Sequence, residues 1–157
     1  VSHTPLRPFP QRTIRDERYK LILNAAAGGR NPAEEYYTDQ LRVETGPTQA
    51  EIDAAPVAVQ AMYATWRSAP PVELYDLKND PHEGVNLAER PELAEVMSRL
   101  QAELAAWRQA TDDPFLDADK LQQFAQEHQE QAARVQANGR KAYQPWKYPD
   151  YLFGKQP

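Results

Sequence analysis

Apolar residues are spaced along this chain in two different ways. Between residues 12 and 23, Thr13, Ile14, Tyr19, Leu21, Ile22 and Leu23 favour strand. The polar pair Asp16-Glu17 interrupts them. This predicts a β-hairpin with strands over 12–15 and 18–23 and a turn at Asp16-Glu17. No Asn-Gly or Asp-Gly is present to fix the turn type. Residues 72–77, Val-Glu-Leu-Tyr-Asp-Leu, alternate as a third strand, with Leu74 and Asp76 on one face and Tyr75 and Leu77 on the other. Asn79-Asp80-Pro81 ends it with turn chemistry. From Pro91 the period changes to that of a helix. Leu93, Val96, Met97, Leu100, Leu104 and Trp107 share one face, which predicts a helix from 91 to about 109 with Leu100 and Trp107 buried on the sheet. Thr111-Asp-Asp-Pro114 stops it.

The remaining segments read less regularly. Pro5, Pro8 and Pro10 make residues 1–11 an extended lead-in. Gly28-Gly29 is a connector, and Asn31-Pro32 has the form of an N-cap and first helical residue for a helix over 33–41 carrying Tyr36, Tyr37 and Leu41. Thr48 and Glu51 form a capping box before Ile52. Ile52, Val59, Met62, Tyr63 and Trp66 recur at helical spacing, with Pro56 splitting the helix. A second long helix is expected from 117 to 137, with Leu121, Phe124, His128, Ala132 and Val135 on one face and Asn138-Gly139 as its stop. The tail from Tyr143 to Phe153 is aromatic, holds two prolines and is expected to lie extended across another surface. The elements sum to an α+β fold: a small antiparallel sheet covered by an amphipathic helix over 1–116, then a helix and extended tail over 117–157.

Composition narrows the function classes. Eighteen Lys and Arg against 23 Asp and Glu give a net charge of −5. This argues against nucleic acid as a partner, because phosphate binding needs a basic stripe. No apolar run approaches the ~18 residues of a membrane span, and the first residues have no apolar core of a secretory leader. With no cysteine, thiolate nucleophiles and Cys-based metal sites are excluded. Proline is 14 of 157 residues, well above the usual ~5%, and the mean hydropathy is −0.80. Both point to a chain with much of its length laid along other surfaces. Phe9, Trp146, Tyr148 and Phe153 are accordingly expected at an interface or exposed, outside the helix–sheet core.

No set of residues completes a catalytic apparatus. There is no Gly-x-Ser-x-Gly elbow, and His3, His82 and His128 are scattered. Asp76, Asp80 and Glu83 invite a calcium reading, but Pro81 stands where an EF-hand loop needs glycine; a strand-ending turn is the better account. Gly28-Gly29 lacks the Lys-Ser/Thr ending of a P-loop. His128, on an apolar face, reads as a packed histidine. Asp112-Asp113 oppose the helix dipole, which leaves room for a functional reason. The tail aromatics can stack on sugars, but packing is the stronger reading.

Two blocks carry a resemblance. Phe9-Pro-Gln-Arg-Thr-Ile-Arg-Asp-Glu-Arg-Tyr-Lys-Leu-Ile-Leu-Asn24 resembles the segment that opens the C-terminal subdomain of type I sulfatases. Glu73-Leu-Tyr-Asp-Leu-Lys-Asn-Asp-Pro-His-Glu-Gly-Val-Asn-Leu-Ala88 is similar to that family's strand-and-turn signature, and the helix from Pro91 with Thr111-Asp-Asp-Pro-Phe115 is similar to its last helix and exit. Asn31-Pro32 and Tyr36-Tyr37 lean toward the heparan N-sulfatase (sulfamidase) branch. The resemblance implies an alkaline-phosphatase-like parent with a formylglycine, made from a Cys/Ser-x-Pro-x-Arg motif, and a calcium site. This sequence contains neither the motif nor a cysteine. The chain is thus expected to be a C-terminal subdomain with no catalytic residue and no metal ligand of its own. Its implied partners are an N-terminal catalytic domain and a sulfated saccharide, and the family implies a periplasmic, secreted or lysosomal setting. His3, Arg12 and Asp113 match segments near the family's pocket and are the candidate substrate-binding residues. For Arg12 a strand-edge ion pair is an equal or stronger reading. A non-catalytic carbohydrate-binding or adaptor module, or an inactive structural fragment, are the alternatives.

Overall fold

The computed structural model describes residues 9–25, 29–31, 34, 47–142 and 144–154. Gln11–Arg15 (β1), Tyr19–Asn24 (β2) and Val72–Asp76 (β3) form an antiparallel sheet in the order β1-β2-β3. Ile14 lies opposite Leu21, and Leu21 opposite Leu74. The hairpin turn is built by a side chain. Asp16 Oδ1 accepts the backbone N–H of Arg18 at 2.8 Å and of Tyr19 at 2.6 Å, an Asx-type turn that does the work of the missing Asn-Gly.

The outer edge of β3 is also sealed by a side chain. Leu87 N–H donates to the Leu74 carbonyl at 2.8 Å. Asn86 Oδ1 accepts the N–H of Leu74 at 2.9 Å, and its Nδ2 donates to the Val72 carbonyl at 3.4 Å. One amide side chain thus imitates the backbone of a neighbouring strand.

Gln49–Asp53 (α1) begins with the expected capping box: Thr48 Oγ1 accepts from Glu51 N–H, and Glu51 accepts from Thr48 N–H at 2.7 Å. Pro56 separates α1 from Val57–Arg67 (α2). The helix expected over 33–41, with its Pro32, Tyr36, Tyr37 and Leu41, lies outside the described residues apart from Glu34, as does Gly28.

A turn of 3-10 helix at Pro91–Leu93 leads into Ala94–Ala110 (α3). This is the amphipathic cover. Leu21, Leu74, Leu100 and Leu104 form a fully buried cluster, with Ile14, Tyr19, Leu23, Val72, Leu93, Val96 and Met97 packed around it. Arg99 of α3 pairs with Asp16, tying the helix to the hairpin. The Asp16 carboxyl is held at about 2, first by the Tyr19 and Arg18 amides and then by Arg99. Trp107 departs from expectation: it is 52% exposed. It is in phase with the stripe, but at this end of α3 Leu104 and Arg108 take the side toward the sheet, lining one cleft with Leu21, Leu23 and Val72.

Beyond a 3-10 turn at Pro114–Leu116, Ala118–Asn138 (α4) starts at Asp117, whose side chain accepts the N–H groups of Asp119 and Lys120. It ends at Gly139, whose φ of 75° suits glycine. Residues 144–147 return along α4, and Tyr148–Phe153 forms a short helix, α5. The extended reading of the tail is corrected there. Pro149 sits in the first turn, where an amide N–H has no partner within the helix, so its missing donor costs nothing. Trp146 and Tyr148 are half-buried against α4, and Phe153 is 64% exposed. With Phe9 they lie outside the helix–sheet cluster. Among the described residues no helix is long and apolar enough to cross a membrane.

Candidate functional site

Asp113 stands where α3, β1 and the 3-10 turn meet. The end of α3 puts it there. Asp112 adopts φ 48°, its N–H donates to the Gln109 carbonyl at 3.2 Å, and Asp113 N–H donates to the Arg108 carbonyl at 2.9 Å. These two bonds and the left-handed residue make a Schellman ending, here with aspartate where glycine is usual. Asp113 then caps the next turn, accepting Phe115 N–H at 3.2 Å.

Its carboxylate gathers two guanidinium groups. Arg12 Nε donates to Oδ2 at 2.9 Å and Nη2 to Oδ1 at 2.5 Å, a bidentate pair. Arg108 Nε donates to Oδ2 at 2.6 Å, and its Nη2 to the Phe115 carbonyl at 2.8 Å. The Asp113 side chain is only 2% exposed, those of Arg12 and Arg108 20% and 13%. Burial pushes the Asp113 carboxyl up, but the hydrogen bonds from Arg12, Arg108 and Phe115 outweigh it and hold the group low. Arg12 also donates to the Gln11 carbonyl at 2.9 Å and lies 5.2 Å over the Phe115 ring. The structure therefore brings Arg12 and Asp113 together, 101 residues apart in sequence. Arg108, which sequence reasoning passed over, completes the cluster; its signal was an arginine in the last turn of a helix followed by two aspartates. His3 lies outside the described residues.

Phe115 carries the packing onward. It meets Phe124 at 5.0 Å, Phe124 meets His128 at 4.2 Å, and His128 stacks on Trp146 at 4.2 Å. His128 is 6% exposed. A carbonyl only accepts, so the 2.8 Å contact with Phe124 O places the proton on Nδ1. Burial lowers the His128 pKa, with the Phe124 carbonyl and Glu127 opposing. Glu127 also accepts from Lys147 N–H at 2.5 Å and from Tyr151 Oη at 2.7 Å. A base whose pKa falls on folding contributes stability that is complete above its ordinary value of ~6.5 and is lost as pH falls through the lower folded value. The protection of residues 144–152 against hydrogen exchange, taken relative to the intrinsic rate at each pH, should therefore fall between pH 7.5 and 5, and His128→Phe should remove that dependence. Equal protection at both pH values would dissociate His128 from tail docking.

Among the described residues no three His, Asp or Glu side chains converge as a cation site. Asp76 closes its turn by bonding Asn79 at 2.8 Å and pairing with Arg18 at 2.7 Å. Arg18 first, with Asn79, holds its carboxyl at about 2. Glu83 pairs with Lys20 at 2.6 Å.

No family model matches the chain. Two curated proteins do. The human N-sulphoglucosamine sulphohydrolase is 46% identical over 46 residues, 29% of this chain and 9% of that protein. The ulvan-active sulfatase of Formosa agariphila is 30% identical over 105 residues, 67% of this chain and 18% of that protein. The chain thus spans less than a fifth of either relative. Its three-stranded antiparallel sheet under a helix is compatible with a sulfatase C-terminal subdomain, and by both matches the chain is a sulfatase-related sequence.

Proposed function

We propose that this chain is the C-terminal portion of a sulfamidase-like sulfatase acting on sulfate esters or N-sulfo groups of sugars, with residues 1–116 as the subdomain and 117–157 as an added helix and tail. The observation that supports this reading is the 105-residue match, which takes two thirds of this chain but 18% of the sulfatase. The shared part is a minor portion of a larger enzyme.

In this reading the nucleophile and calcium belong to a catalytic domain outside this chain. The residues here do not fit either group: the sequence has no cysteine and no Ser-x-Pro-x-Arg, and the described carboxylates are dispersed. No chemical step is assigned to this chain. Its part is to shape the rim of a pocket. Three N–H groups of Arg12 are committed to Asp113 and Gln11, which leaves one on each Nη. These can donate to a sulfate or carboxylate oxygen of a sugar. Asp113 would then act by holding Arg12, and His3 is a further candidate by resemblance.

The purified chain is expected to show no turnover of an aryl sulfate or of N-sulfoglucosamine. Turnover above buffer that a point substitution in this chain abolishes would overturn the reading.

A further inference from the structure

The face of the sheet turned away from α3 carries a buried carboxylate that has no cation beside it among the described residues. Glu73, Tyr75, Ile22, Asn24 and Lys20 share this face by register. Glu73 is 5% exposed. Asn24 Nδ2 donates to its Oε1 at 2.6 Å, and the Tyr75 hydroxyl donates to its Oε2. Both donors are neutral. Lys20, on the same face, is committed to both oxygens of Glu83 at 2.8 and 2.6 Å. Among the described residues no ion pair reaches Glu73, whereas the buried Asp113 and Asp76 each hold an arginine. A buried charge is ordinarily paired, because its desolvation is costly.

Glu73 and Tyr75 also line a pocket of about 220 Å³. Its walls come from β2 and α2 and include Phe9, Ile22, Met62 and Trp66, with Glu83 at the same opening. A carboxylate offers about four lone-pair sites, and the two bonds here leave about half of them for a ligand. Aromatic walls add attraction for a cation. The lining also includes Gln11, Asn31 and Thr65, but among the described residues no three carboxylate or imidazole groups gather there for a hard metal ion; its apolar part is Phe9, Ile22, Met62 and Trp66. It suits a stem of methylene groups.

We propose that this pocket is a binding site for an organic cation, an ammonium or guanidinium head on an apolar stem, with Glu73 as the counter-charge. The inference stands on the pocket alone and does not depend on the sulfatase reading. Asn24 and Tyr75 are positioning residues: each holds one oxygen of Glu73 and fixes the carboxylate at the pocket wall.

The test is titration of the full 157-residue chain, followed by amide and indole NMR, with three cations and one neutral probe. n-Butylammonium stands for a lysine or alkylamine head, n-propylguanidinium for an arginine head and D-glucosamine, as its ammonium, for an amino sugar. n-Butanol is the neutral counterpart of the first. At least one cation should bind ten-fold or more tighter than butanol, with shifts at Trp66, Glu73 and Tyr75, and the tightest identifies the source. Glu73→Gln keeps the size and one acceptor oxygen, and should weaken cation binding at least ten-fold while leaving butanol unchanged. Equal binding of butanol and the cations, no binding by any cation, or a folded Glu73→Gln chain that binds as before would each overturn the proposal. The butanol comparison needs no variant, so it decides even if Glu73→Gln fails to fold.

Discussion

Asp113→Ala should destabilise the protein by about 2–4 kcal/mol. Removing one partner of a fully buried ion pair costs ~3–5 kcal/mol, and the expectation is set lower because the Arg12 and Arg108 side chains, 20% and 13% exposed, can swing partly into water. The loss has three parts: two guanidinium groups lose their counter-charge, Phe115 N–H loses its cap, and the Arg12 contact over Phe115 loses its anchor. Asp113→Asn keeps the shape and one acceptor oxygen, and should cost clearly less. The folded pKa of Asp113 lies below the ordinary value, so its contribution is complete above ~3.9 and is lost as pH falls through the folded value. Urea unfolding at pH 7 and again at pH 3 measures both. A penalty for Asp113→Ala as large at pH 3 as at pH 7 would mean that charge pairing is not its source.

Leu100→Ala should cost about 2–5 kcal/mol, the range for truncating a buried leucine. Leu100 is fully enclosed among Leu21, Leu74 and Leu104. Two of those are sheet residues and cannot close on the space without moving their strands, which favours the upper half of the range. Trp107→Ala, on the same stripe, should cost far less because that ring is half in water. Denaturant midpoints of the two variants rank them. A reversed order would place the helix on the sheet by its C-terminal half.

The hairpin, the third strand, both long helices and the break at Pro56 were legible because each rests on local periodicity or on proline. Leu100 and Leu104 were legible for the same reason. Trp107 was not, because at that end of α3 the side toward the sheet is taken by Leu104 and Arg108, which a shared helical phase does not reveal. The tail helix was hidden by Pro149, whose cost depends on its position within a turn. At the site, Asp113 stood out as a carboxylate opposing the helix dipole, and Arg12 could be singled out only through resemblance. Their pairing with Arg108 is set by how α3 ends, and no spacing rule carries that over 101 residues. Glu73 was read as one polar residue in an alternating strand. That it is buried depends on what lies against the far face of the sheet, where α2 lines the same pocket, and a pattern of single strands does not reveal that.

The Asn86 side chain that seals β3 has a consequence for how the sheet can grow. With that margin blocked by Asn86 and Leu87, any additional chain can hydrogen-bond only alongside β1, where no strand pairs among the described residues. An open margin is a template for unwanted association between molecules. Here it is short and carries Arg12 and Arg15, charges of the kind that discourage such stacking. Arg12 is held in place by Asp113, so the same ion pair that joins α3 to the sheet also keeps a guarding charge fixed at its one open side.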